Sequence, residues 1–472
     1  MPVTVSIQLD PEDRQPLYLQ LADRLREMIE SGQLEEHSKL PPIRNMARQL
    51  GVNNGTVVSA YRKLEIEHLA YSKTGSGTYV ASRKLFTTAE EQPSYLLDLP
   101  RQTPGESPKT DYTGVSPEPV FFPVQTYRQL VDRILERDGG YAFDCPDSQG
   151  YLPLRETLSG WLRRRNIQAL PEHIHITSGS QQALDIITKT LVHPNDVVAV
   201  ESPLYPGALA AFSARGARIM EIPLQADGLD LNRLEERVRR TRISFLYTMP
   251  CFQNPTGITW SLRKKQQLLT IAEKYGFYIL EDDFVSEFSY GRKNLQTLKE
   301  LDTTGRVIYV KSIAKLVMPG LRLGFLLTPP ELNQKIRTVK FLSDISTSGL
   351  SQRVVDLYLR GNQWETEFKD MVRSFRIRYN LMTEQMDSHF PKEITYIPPQ
   401  GGFCFWLSLP EGRSSSLLAQ RALEQNIILQ PGNSFFLNQR PSKYFRLGFG
   451  KVENEEIRSS IPVLGDILRK IL

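Results

Sequence analysis

With 472 residues, 40% of them hydrophobic and 24% charged, the chain exceeds what one core of ~250–300 residues holds, so two or more domains are expected. Three cysteines without metal-ligand spacing (Cys145, Cys251, Cys404) argue against a disulfide framework and for a reducing compartment. No run approaches the ~18 apolar residues of a membrane span, and Met1-Pro-Val-Thr lacks a signal-peptide pattern, so a cytoplasmic protein is expected.

The net charge of +5 says little as a whole, but its distribution says more. Residues 1–37 carry three basic and eight acidic side chains, whereas residues 38–84 carry eight basic and two acidic ones. Such a local basic excess suits a phosphate-facing surface and equally a solvated basic face.

Leu21, Leu25, Met28 and Ile29 recur at helical spacing and predict an amphipathic helix from about Leu17 to Glu30. A second helix opens at Pro41-Pro42 and buries Ile43, Met46, Ala47 and Leu50, with Gly51 as a left-handed stop. Asn53 can cap a third helix whose inner face is Val57, Ala60, Tyr61 and Leu64. Ala70–Lys73 and Thr78–Ala81 flank Gly75-Ser-Gly77 and predict a short hairpin.

This stretch resembles the winged helix-turn-helix of GntR-type bacterial transcription regulators. The resemblance rests on Leu40-Pro41-x-x-Arg44-x-Met46-Ala47-x-x-Leu50-Gly51-Val52, Thr56-Val57-x-x-Ala60-Tyr61-x-x-Leu64 and Gly75-x-Gly77-Thr78-Tyr79-Val80. It implies a DNA-binding domain over residues 14–84 that meets double-stranded operator DNA through Arg44, Asn53, Asn54, Thr56, Tyr61, Lys73 and Gly75. Asn53-Asn54 stands where the family usually has Ser-Arg, and Pro42 replaces a common serine. A three-helix docking module that binds no DNA is the alternative.

From residue 85 to 110 the pattern is polar and proline-bearing, as in a semi-flexible linker. Beyond it, strand candidates His173–Ile176, Val197–Val200, Ile243–Thr248, Phe277–Leu280 and Val307–Val310 alternate with helical stretches. That predicts a largely parallel sheet with its chemistry at strand C-termini.

Polar motifs fall at those ends. Thr177-Ser-Gly179-Ser180-Gln181 precedes a helix and can bind phosphate. Tyr205, after Glu201-Ser-Pro203, can stack on a ring. Asn254, before Pro255, can present its amide to a phenolic oxygen, and a carboxylate of Glu281-Asp282-Asp283 can keep a pyridine nitrogen protonated. Lys315, in Lys311-Ser312-Ile-Ala-Lys315…Pro319-Gly-Leu-Arg322-Leu-Gly324, can form an imine with an aldehyde cofactor whose phosphate meets Ser312 and Arg322. Lys311 reads as a strand-end charge only. Near the C-terminus Arg446, on a strand flanked by aromatics, can clamp a carboxylate or serve in a structural salt bridge.

In this order the motifs resemble fold-type I, class I/II aminotransferases, and behind a GntR-like reader they resemble MocR/GabR-type regulators. The implied fold is multidomain. An α+β winged helix-turn-helix precedes an α/β fold-type I, aminotransferase-like domain over 111–472, with a smaller α+β subdomain from about 350.

The implied cofactor is pyridoxal 5'-phosphate, in Schiff-base linkage to Lys315. Gly179, Ser180, Gln181, Ser312 and Arg322 hold its phosphate, Tyr205 stacks on the ring, Asn254 meets the ring hydroxyl and Asp282 the ring nitrogen. Arg446 takes the carboxylate of an effector. Phe284 stands where many relatives have a tyrosine, and Gly207 where the GABA-sensing member has an arginine.

The resemblance further implies a head-to-tail homodimer, at the nucleoid when DNA-bound, that senses an amino compound through external aldimine formation at Lys315. A working aminotransferase with an accessory DNA-binding domain is the alternative, and some aminotransferase activity is compatible with either.

Overall fold

The computed structural model describes residues 7, 9, 10, 13, 15–30, 33–34, 38–66, 69–73, 77–80, 110–291, 295–313, 315, 318–361, 363–437 and 441–472. The expected linker (all but Thr110), the wing residue Gly75 and the Lys73 side chain lie outside this description. The chain divides into two units, Met1–Thr87 and Thr88–Leu472.

In the first unit α1 (Leu17–Glu30), α2 (Ile43–Leu50) and α3 (Asn54–Ile66) precede an antiparallel hairpin of β1 (Ala70–Lys73) and β2 (Gly77–Val80). The apolar stripes face one another. Leu21, Leu25, Met46, Val57, Ala60, Leu64 and Val80 form a fully buried core. Helix α2 stops at Gly51, whose φ of +67° is the left-handed stop that its sequence position predicts. Asn53 Oδ1 accepts from the Thr56 N–H at 2.7 Å and so caps α3.

The second unit begins with β3 (Thr110–Asp111), α4 (Val124–Asp138) and α5 (Leu152–Arg163). Then follow β4 (Ile174–Thr177), α6 (Ser180–Leu191), β5 (Val197–Ser202), α7 (Pro206–Ser213), β6 (Arg218–Gln225), β7 (Gly228–Leu229), α8 (Leu231–Val238) and β8 (Phe245–Thr248). After α9 (Leu262–Tyr275) come β9 (Tyr278–Asp283), α10 (Leu298–Leu301), β10 (Val307–Ser312) and β11 (Gly324–Leu327). Strands β4 to β11 form an eight-stranded sheet in the order β4-β11-β10-β9-β8-β5-β6-β7.

The five predicted strands are present and mutually parallel, with ends shifted by a few residues. The alternation does not foretell β6, nor the antiparallel β7 and β11. Strand β11 slots between β4 and β10, and Ser312 lies opposite Gly324. A side chain at Gly324 would meet Lys311 O at 2.9 Å and the Gly179 carbonyl carbon at 3.1 Å. The sheet therefore brings residues 179, 312 and 324 to one place.

Helices α11 (Asn333–Asp344), α12 (Gly349–Arg360) and α13 (Gln363–His389) lead to β12 (Thr395–Tyr396), β13 (Cys404–Ser408), α14 (Ser415–Leu423), β14 (Ile427–Ile428), β15 (Gln430–Pro431), β16 (Tyr444–Gly448) and α15 (Asn454–Ile471). A four-stranded antiparallel sheet, β12-β13-β16-β15, is the centre of this smaller part. Strand β3 pairs with β14, so the start of the unit is tied to its C-terminal part. Among the described residues no helix is long and apolar enough to cross a membrane.

Candidate functional site

The C-terminal ends of β4, β5, β8, β9 and β10 deliver the predicted polar residues. At β4, Gly179 takes a φ of +88°, and any Cβ there would lie 2.8 Å from Arg322 Nη2. Arg322 reaches this spot from its own left-handed conformation, and Nη2 donates to Ser178 O at 3.4 Å. A guanidinium against the N-terminus of α6 meets the positive end of the helix dipole, and an anion between them relieves the repulsion. Gln181 Nε2 donates to Gly207 O at 2.7 Å, and the Tyr205 hydroxyl donates to Gln181 Oε1 at 3.4 Å. A side chain at Gly207 would meet Gln181 Oε1 at 2.5 Å, so this neighbourhood is closed to a larger residue.

The three consecutive acids of β9 have three different surroundings, because side chains alternate across a strand. Glu281 accepts from the Leu298 and Lys299 N–H groups, both at 2.8 Å, at the start of α10. Asp283 accepts from Tyr309 Oη at 2.6 Å and pairs with Lys311 Nζ at 3.0 Å. Burial alone would raise its pKa, but the Lys311 and Arg165 charges and the Tyr309 and Ser286 hydroxyls hold it at about 2. Asp282 points the other way. One oxygen accepts from Tyr247 Oη at 3.0 Å, while Oδ1 is buried without a partner. Burial raises the Asp282 carboxyl to about 7.

Lys311 corrects an expectation. It is fully buried, bound to Asp283 and, at 2.6 Å, to Glu287, which also pairs with Arg165. Lys315, four residues on, has opposite surroundings. Its Nζ donates to Ser116 Oγ, and burial, together with the Arg322 and Lys451 charges, lowers its pKa to about 8.

Asn254 and Arg446 meet directly. Arg446 Nη1 donates to Asn254 Oδ1 at 2.7 Å and Nη2 to Thr113 O at 2.8 Å, while Nε is buried without a partner. Gln253, the residue before Asn254, is held by Glu201, a buried carboxylate that the motif reading leaves without a role. Glu201 accepts from Thr248 Oγ1 at 2.5 Å, the Met249 N–H at 3.1 Å and Gln253 Nε2 at 3.2 Å. Gln253 also donates to Pro203 O at 2.9 Å and accepts from the Thr256 N–H at 2.9 Å. One carboxylate thus links the loop of Tyr205 to the loop of Asn254. Burial pushes Glu201 up to about 7 against these hydrogen bonds. Tyr247, Ser116 and Glu201 are the neighbours that sequence reasoning misses, since each partner is 35 or more residues away.

In the first unit Arg44, Asn53 and Asn54 are exposed, and Thr56 is half-buried at the cap of α3. Tyr61 is a correction. It is buried in the core, and its hydroxyl donates to Pro41 O at 2.8 Å, so it braces α2 against α3 and presents no surface to DNA.

A family model for aminotransferase class I and II matches residues 121–462, and one for bacterial regulatory proteins of the gntR family matches residues 17–80. The chain is 27% identical to the uncharacterized HTH-type transcriptional regulator YdfD of Bacillus subtilis, over 98% of this chain and 99% of that protein. It is 26% identical to the probable rhizopine catabolism regulatory protein MocR of Rhizobium meliloti, over 96% of this chain and 94% of that protein. The solved Pyrococcus horikoshii kynurenine aminotransferase, in complex with PMP, is 32% identical and aligns with a TM-score of 0.75 over 78% of this chain and 92% of its own.

The family's cofactor is pyridoxal phosphate, and the residues present fit it. The orphaned Asp282 Oδ1 has the charge and burial to accept from a protonated ring nitrogen, and leaving such an atom unpaired costs about 1–3 kcal/mol. Arg322 over the bare Gly179 gives a cationic cradle for a phosphate. The chain belongs to the class I and II aminotransferase family and carries a gntR-family DNA-binding domain ahead of it, the organisation of MocR-type transcriptional regulators.

Proposed function

We propose that this DNA-binding regulator senses a small amino compound at Lys315. The observation that carries the reading is the pairing of two intact parts: a desolvated lysine following β10 with an orphaned carboxylate near the end of its paired strand β9, and a capped helix-turn-helix with exposed polar residues. When bound, pyridoxal phosphate supplies an aldehyde that holds one primary amine at a time as an imine.

Lys315 is the resident amine in this reading. Asp282 keeps the ring nitrogen charged, Tyr205 covers the ring, Asn254 meets its hydroxyl, and Gly179, Ser180, Gln181, Ser312 and Arg322 hold the phosphate. Arg446 takes the effector's carboxylate, for which its unpartnered Nε is suited. Arg44, Asn53, Asn54 and Thr56 serve the DNA surface, together with Lys73 and Gly75 of the wing. The domain limits proposed are 14–84, a linker at 85–110, and 111–472 with a small subdomain from about 350.

A head-to-tail homodimer is part of the proposal. Tyr141 and Phe143 are exposed beside α12, where Arg353 donates to Tyr141 O at 2.8 Å and Gly349 abuts Asp144 O. Leu342 and Ile345 are exposed at the end of α11, a few residues before Gly349. These exposed apolar side chains are available to a partner subunit.

The test is spectroscopic and on DNA. The holoprotein should absorb near ~400–430 nm through its Lys315 imine, and Lys315→Ala should lose that band. Footprinting over its own or an adjacent promoter should change when an amino compound is added. Normal DNA binding that ignores both pyridoxal phosphate and amines would sink the sensing role. Arg44→Ala should weaken DNA binding and flatten its salt dependence.

A working aminotransferase is the second reading, favoured by the intact set around Asp282. Sustained multiple-turnover keto-acid formation is the result that would favour it.

A further inference from the structure

The two groups that meet an effector in the proposed site are both held by one short segment of the chain. Thr113 O accepts from Arg446 Nη2 at 2.8 Å, and Ser116 Oγ accepts from Lys315 Nζ. Neighbouring contacts fix this segment from several sides. The Gly448 N–H donates to Tyr112 O at 2.6 Å, and a side chain at Gly450 would meet Ser116 O at 2.5 Å. The Tyr112 hydroxyl lies 2.7 Å from Ser460 Oγ, and Glu118 pairs with Arg378. Residues 110–118 thus lie along the small C-terminal part while two of their oxygens occupy the reactive lysine and the arginine clamp. In sequence they directly follow residues 85–109, which join the DNA-binding domain to the rest.

We infer that residues 113–116 relay occupancy of the site toward the DNA-binding domain, with Ser116 as the residue that reads the state of Lys315. The inference rests on the sensing role proposed above. While Lys315 is committed to the cofactor, its nitrogen has no hydrogens to spare for Ser116, and Arg446 keeps Thr113. When an amine takes its place, the carbon–nitrogen double bond to Lys315 Nζ breaks and one to the incoming nitrogen forms. The two hydrogens of the incoming amine end on Nζ, which then donates to Ser116 as it does in this structure. A carboxylate on the same compound is a stronger acceptor for Arg446 than a neutral carbonyl and displaces Thr113 O. The segment therefore gains one anchor and loses another, and the change is delivered at the end of the linker. A compound with an amine and no carboxylate changes only one anchor.

The test uses full-length holoprotein, its own promoter DNA and two probes, aminooxyacetate and methoxyamine. Both oxyamines react with the cofactor aldehyde, but only the first carries a carboxylate. Both should bleach the Lys315 imine band. Aminooxyacetate should speed amide hydrogen exchange over Thr113–Ser116 and shift DNA affinity by roughly tenfold, and methoxyamine should shift it less. In Ser116→Ala the band should still form and bleach, while the DNA shift falls to about twofold or less. Ser116→Thr, which keeps the hydroxyl, should retain the response.

An unaltered DNA shift in Ser116→Ala overturns the relay, as does exchange over Thr113–Ser116 that is the same with and without aminooxyacetate. If the wild-type band bleaches and DNA affinity ignores both probes, the sensing role itself fails and the relay with it. If Ser116→Ala alone lacks the response, the sensing role stands and the relay is supported.

Discussion

The two faces of the β9–β10 pair treat buried charge in opposite ways. On one face Lys311, Asp283, Glu287 and Arg165 compensate one another, and hydroxyls of Tyr309 and Ser286 complete the set. On the other, Asp282 has an orphaned oxygen, and the charges that act on the nearby Lys315 are those of the cations Arg322 and Lys451. Paired charges in a dry interior make a rigid, chemically silent support. Unpaired ones remain available, and a bound group with complementary charge gains what the fold leaves unsatisfied. A carboxyl at about 2 and its neighbour in sequence at about 7 express the same contrast.

The largest effect should come from breaking the compensated face. Lys311→Met takes the ammonium from buried Asp283 and leaves Glu287 with Arg165 alone, and should cost about 3–5 kcal/mol, measured by urea unfolding of the apoprotein. A loss below about 1 kcal/mol would mean that water reaches the cluster and the contrast is false.

Next comes Asp282→Asn, on the uncompensated face. Without its acid the site should bind pyridoxal phosphate about 10–100-fold more weakly by fluorescence titration, the loss of one charged hydrogen bond. Apoprotein stability should move the opposite way. Because burial raises the folded-state pKa of Asp282 to about 7, the folded protein holds a proton that the unfolded chain has released. Stability therefore falls as pH rises from about 4 through about 7, and Asp282→Asn should remove part of that fall. Asp283 has the reverse sign. Its contribution is present above about 4 and lost as pH drops toward about 2. Unfolding curves at about pH 5 and about pH 8 on both proteins check the difference.

The smallest stability change should follow Lys315→Met. This residue has no buried acid to strand, so apoprotein stability should stay within about 1 kcal/mol of wild type while the imine band disappears. A destabilisation as large as that of Lys311→Met would remove the distinction between the two lysines.

Local signals carried the small unit. The stripes of α1–α3, the left-handed Gly51 and the Asn53 cap depend on neighbours within a turn or two, so pattern alone places them. Tyr61 shares the buried inner face of α3 with Val57, Ala60 and Leu64, and what keeps it from DNA is a hydroxyl that reaches Pro41, 20 residues back. The role of Lys311 depends on contacts of still longer range. Its acids lie 28 and 24 residues upstream, and only the parallel register of β9 and β10 puts Asp283 beside it.

The sequence by itself determined the two-part organisation, the parallel sheet and the polar residues at its strand ends, because periodicity and turn chemistry are written in adjacent residues. Only the tertiary structure decided which of two nearby lysines is neutralised and which is left desolvated. It also decided that Glu201 joins two loops, and that Thr113 and Ser116 occupy the arginine and the lysine of the site. Those outcomes depend on burial and on partners up to 333 residues apart, and no local pattern encodes the dielectric around a charge or the far strand that answers it.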